Sequence, residues 1–82
     1  MNYIVEVFLP TETTFSIIHL TGYAVYPSIE DIKHLFDELK TDPEFGIGEQ
    51  VEKARFNVYD IKYFKAIRPQ QREVIEQMQL KW

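Results

Sequence analysis

Three residues combine type and spacing in a way that could do chemistry: Asp31, His34 and Glu38. On a helix turning about 100° per residue they fall within an arc of roughly 60°. That makes a carboxylate–imidazole–carboxylate stripe. It could begin a divalent-metal site, or let Glu38 raise the basicity of the imidazole. A metal site needs at least three firmly held ligands, and one helix face supplies two or three here. The expectation is therefore a solvated polar stripe with a local ion pair of a few tenths of a kcal/mol, and no metal or cofactor. The second histidine, His19, lies between Ile18 and Leu20 in a strand-like segment. It reads as a core-edge residue with one hydrogen bond rather than a catalytic base. A deep polar pocket joining either histidine to a carboxylate would be the mark of an enzyme.

Other catalytic signatures are missing. The chain has no Gly-x-Ser-x-Gly, P-loop, Gly-x-Gly-x-x-Gly or His-Glu-x-x-His pattern. Gly46-Ile47-Gly48 has too few glycines, and no strand-then-helix setting, for a phosphate loop. The sequence thus points away from an enzyme and towards binding.

Charge is the feature that limits the binding partner. The chain is −4 overall, but residues 28–52 carry −6 and residues 53–72 carry +5. The basic segment interleaves Lys53, Arg55, Lys62, Lys65, Arg68 and Arg72 with aromatic rings. Phosphate neutralisation and base stacking together are what a single-stranded nucleic acid requires. Arg55, Tyr59, Lys62, Tyr63, Lys65 and Arg68 would carry it. Against this stand the acidic balance of the whole chain and the lack of the glycines of the RNA-recognition strand motif around "RFNVY".

The acidic segment supports the other possibility. Glu30, Asp31, Asp37 and Glu38 cover an arc of roughly 120° on one helix. Asp42, Glu44 and Phe45 follow in a loop. Such a surface steers association with a partner protein whose own surface is basic. The function expected is that of a small acidic regulatory or inhibitory protein, of the kind that phages and mobile elements often make. Binding of single-stranded nucleic acid through residues 53–72 is the alternative.

The elements that position these groups follow from pattern and punctuation. "NYIVEVFL" is rich in β-branched residues and sets Val5, Val7 and Leu9 on one face. Pro10 ends it. "TFSIIHLTGYAVY" is a second strand, joined to the first as an antiparallel hairpin through about four residues. Gly22 marks a bulge or bend in it. Ser28 is an N-cap candidate with Asp31 as the capping-box acid. Ile32, Leu35, Phe36 and Leu39 then follow the helical period, and Pro43 stops the helix near Thr41. Phe45 and Ile47, in the loop after it, either tuck back onto the core, which is the more common outcome, or stand out as partner contacts.

A later strand sets Ala54, Phe56 and Val58 on one face. The apolar phase then shifts to Tyr59, Ile61 and Tyr63, which one regular strand cannot do. A bulge, a turn or a short helix capped by Asp60 would each explain it. Pro69 opens a last helix with Val74, Ile75 and Met78 as its apolar stripe, extended by Trp82. The order is β-β-α-β-(β or short α)-α. It describes a single α+β domain over residues 1–82, with a small, mainly antiparallel sheet and two helices on one face.

Eighty-two residues with 45% hydrophobic and 15% aromatic content suffice for a core, though a thin one. The five tyrosines either finish that core or serve a partner site. The absence of cysteine removes disulfides and thiolate metal sites, and with no membrane span or signal peptide in view a cytoplasmic location is expected. An open sheet edge leaves homodimerisation available.

Overall fold

The computed structural model describes residues 2–10, 15–41 and 52–80. Strands β1 (Tyr3–Pro10), β2 (Phe15–Tyr23) and β3 (Arg55–Asp60) form an antiparallel sheet in the order β2-β1-β3. Helix α1 (Ile29–Thr41) lies between β2 and β3 in the chain. Helix α2 (Ile61–Ile67), a 3-10 turn (Pro69–Gln71) and helix α3 (Arg72–Leu80) follow β3. The α+β class and the order of elements agree with the sequence, and the open choice after β3 resolves as a short helix.

The first strand is the central one, which explains its composition. Successive side chains of a strand point to opposite faces. Val5 and Val7 pack with Ile32, Leu35, Leu39 and Ala54, so α1 covers one face. Ile4 packs with Ile61, Phe64 and Ile75, so α2 and α3 cover the other. The expectation of helices on one face is corrected here. A central strand buried on both sides has no polar face to spare, and "IVEV" shows this in its near-unbroken apolar run.

Local signals act as chemistry requires. The Ser28 backbone N–H donates to Asp31 Oδ2 at 2.9 Å, and the Asp31 N–H donates to Ser28 Oγ at 3.1 Å. This reciprocal capping box starts α1. Asp60 sits at φ −62°, ψ 137°, and its Oδ1 accepts from the Lys62 N–H at 2.8 Å. One aspartate thus ends β3 and caps α2, which accounts for the phase shift after Val58. The bulge in β2 is not at Gly22. Gly22 pairs regularly with Ile4, whereas the register slips between Val7↔His19 and Phe8↔Ile17, leaving Ile18 as the extra residue. Gly22 is buried, and a side chain there would stand beside that of Ile4.

One charge is fully enclosed. Glu6 has no exposed surface, and it projects from β1 towards α2 and α3. Arg68, just after α2, brings its Nε within 3.2 Å of Glu6 Oε2, and Asn57 Nδ2 reaches Oε1 at 3.5 Å. A buried carboxylate of this kind requires a cation and further donors. Among the described residues no helix is long and apolar enough to cross a membrane.

Candidate functional site

Helix α1 organises the surface. It lies over β1, so it leaves a flank open on either side, towards β2 and towards β3, and presents a crest to solvent. The three surfaces differ in chemistry.

The crest carries Glu30, Asp31, Asp37 and Glu38, all exposed. Asp31 is engaged by the cap, and Glu38 Oε1 lies 3.2 Å from His34 Nε2. The Glu30 and Asp37 carboxylates have no partner among the described residues. The rest of the expected contact surface, Asp42, Glu44 and Phe45, lies outside the described residues, as do Ile47 and Trp82.

The flank towards β2 is polar. The register places His19, Thr21 and Tyr23 on the α1 side of the sheet, and with Asp31, His34 and Glu38 they line a cleft of about 300 Å³. Both histidines and both carboxylates therefore line one cleft, although only His34 and Glu38 pair directly, and the sequence did not show this. The signal was available in part, since His19 and Thr21 share the parity of Tyr23. What was missing is that α1 folds back over β1 and brings its flank alongside β2. Burial lowers the pKa of His19 from its ordinary 6.5, with Glu38 pulling the other way. Burial, Asp31 and Glu38 all raise that of Tyr23. Among the described residues Thr21 Oγ1 is buried without a hydrogen-bond partner. His34 and Glu38 are 78% and 61% exposed, so their pair is a solvated one. Among the described residues no group of three or more His, Asp or Glu is placed to hold a metal ion.

The flank towards β3 is apolar. A groove of about 710 Å³ runs between α1 and β3 over Ala54, Phe56 and Val58, with Ile29, Ile32 and Phe36 as its helix wall. The Phe36 and Phe56 rings meet edge to face across it at 6.0 Å. Ile29, Tyr26 and Phe56 are 76%, 66% and 44% exposed. Large side chains left this open, and next to one another, mark contact surfaces rather than scatter. Lys33, Asp37 and Arg55 stand at the rim.

The basic segment does not form one surface. Arg68 pairs with buried Glu6, and Arg72 pairs with Glu76 at 3.2 Å. Arg55 donates to the carbonyls of Ala54, at 2.9 Å, and Glu52. The two ion pairs run to Glu6 and Glu76, outside the acidic 28–52 segment that charge alone suggested as their neutraliser. Lys62, Tyr63 and Lys65 are exposed on α2. Tyr59 packs against Tyr63 and Phe64, with ring centres 6.0 and 5.5 Å away. Burial is the main cause that raises its pKa, with Glu6 adding to it. Of the six residues expected to hold nucleic acid, α2 gathers three, while Arg55 and Arg68 are turned to other partners.

Compared with protein-family models, with curated proteins and with solved structures, the chain matches none.

Proposed function

We propose that the protein is a non-catalytic interaction module that binds a protein partner with a basic surface through the crest of α1. A small regulatory or inhibitory role fits such a module. The observation that carries this is the pair Glu30 and Asp37: exposed carboxylates on a well-capped helix, without partners among the described residues. A rigid helix presents its charges at fixed spacing, so little ordering entropy is lost when a partner's Lys or Arg side chains meet them. Asp31 and Glu38 widen the negative field although each is engaged locally. Attraction of this type speeds encounter and weakens with salt.

Single-stranded nucleic acid fits less well. Arg68 offers little to a phosphate while it holds Glu6, and three residues on one short helix give a small stacking and charge surface.

The test is photo-cross-linking through a reactive side chain placed at the exposed His34, beside Glu30 and Asp37 on α1, in an extract of the cells that make the protein. A single protein should be captured at physiological salt, and capture should fall when Asp37 is reversed to Lys or salt is raised. Capture indifferent to both would remove the proposal.

A further inference from the structure

We infer that two copies of this chain pair along β3, antiparallel, with Asn57 opposite Asn57, to form a six-stranded sheet β2-β1-β3-β3-β1-β2. This uses the edge and the apolar flank and shares only Asp37, at the groove rim, with the crest; the dimer is read by sedimentation and the crest by partner capture, so each can fail without the other.

The first ground is the strand edge. Among the described residues β3 pairs only with β1. The Ile61 N–H donates to the Asn2 carbonyl at 3.0 Å. Antiparallel ladders alternate, so Tyr59 and Asn57 also turn their backbone groups towards β1. The backbone groups of Phe56 and Val58 therefore point to the open side. That edge carries the aromatic and β-branched residues of a pairing strand, and neither Lys nor Pro blocks it.

The second ground is register. A two-fold axis perpendicular to the sheet keeps both α1 helices on one side and must pass between like residues. Centred on Asn57, it pairs Phe56 with Val58 of the second copy in hydrogen-bonding positions, an aromatic beside a β-branched residue. It also sets Arg55 opposite Tyr59 and brings the Arg55 end of one strand beside the Asp60 end of the other. Centred on Val58 instead, it would set Phe56 against Asp60 and Arg55 against the start of α2. The strand is self-complementary in one register and not in the next.

The third ground is the groove. Each α1 lies over its own β1, so the two helix axes would be three strand spacings apart, about 14 Å. Touching helices are about 8–10 Å apart. The remainder is the space that Tyr26, Ile29, Phe36 and Phe56 of both copies would fill. Covering them along with the strand edges removes on the order of 1,000 Å², where specific interfaces begin. The rim holds Lys33 and Asp37 together, a mixture that suits its own two-fold image better than a basic partner. The β2 flank, with its histidines and carboxylates, has no such need of cover.

The chain has no cysteine, which makes the test direct. Opposed residues in a non-hydrogen-bonded pair have Cα atoms about 4.5 Å apart, within disulfide range. Under mild oxidation Asn57→Cys should give a covalent dimer, while Glu30→Cys on the crest should not. Sedimentation of the unaltered chain should show a dimer, and Phe56→Lys, at a half-open position that tolerates it, should give a folded monomer by circular dichroism. A monomeric unaltered chain, equal cross-linking at both cysteines, or a dimer that survives Phe56→Lys would each overturn the pairing. So would an extended basic peptide that occupies the groove of a monomer.

Discussion

A carboxylate enclosed beneath α2 and α3 cannot be left alone, and Glu6 is held by Arg68. Arg68→Met should cost about 3 kcal/mol in urea denaturation, because it strands a buried charge. Adding Glu6→Leu should recover most of that loss, since an apolar pair of similar volume avoids desolvation altogether. His19 governs a different dependence. Burial holds its folded pKa below 6.5, so between the two values the unfolded chain binds more protons. Its contribution is complete above about pH 6.5 and is lost as pH falls towards the folded value. Asp31, His34 and Glu38 face it from α1, and Thr21 and Tyr23 lie beside it on β2; of these Glu38 is the one that raises its pKa. The urea midpoint should drop between about pH 7.5 and pH 5.5, and drop less in His19→Gln. The sequence placed His19 at the core edge but showed neither its cleft nor the enclosure of Glu6. Glu6 showed only as an oddity in an apolar run, and its partner is 62 positions away.

Helix α1 and helix α2 each depend on one capping residue. Ser28→Ala and Asp60→Ala should each cost about 1 kcal/mol by thermal or chemical unfolding. Asp60→Asn, which keeps an acceptor oxygen, should cost less. These caps were legible because they rest on short-range geometry: Ser28 three residues before Asp31, and Asp60 at the point where the apolar phase changes. The bulge was misplaced for the opposite reason. Glycine permits irregular backbone but does not demand it, and the slip at Ile18 is set by pairing with β1. The candidate contact residues on α1 were legible as an acidic arc. Their division into a crest and a β2-facing margin was not, since it depends on where the sheet lies beneath the helix.

At the scale of the whole molecule, one helix over a three-stranded sheet leaves two chemically unlike flanks. The polar flank gathers His19, Thr21, Asp31, His34 and Glu38, while the apolar flank leaves Tyr26, Ile29 and Phe56 open. The position of β1 in the middle, and so the helices on both faces, could not be read from the order of elements alone. It follows from pairings between residues far apart in the chain. The charge map was legible in its signs but not in its connections, because two of the cations turn to Glu6 and Glu76 rather than to the acidic segment.

The surface assigned to function is tested most directly by comparing two charge reversals in one capture assay at physiological salt. Glu30→Lys with Asp37→Lys removes the negative crest of α1, and Lys62→Glu with Lys65→Glu removes the exposed cations of α2. Both pairs lie at exposed positions, so both variants should stay folded. A protein partner should be lost with the first pair and retained with the second. Retention with the first pair and loss with the second would contradict the assignment and return function to the basic segment.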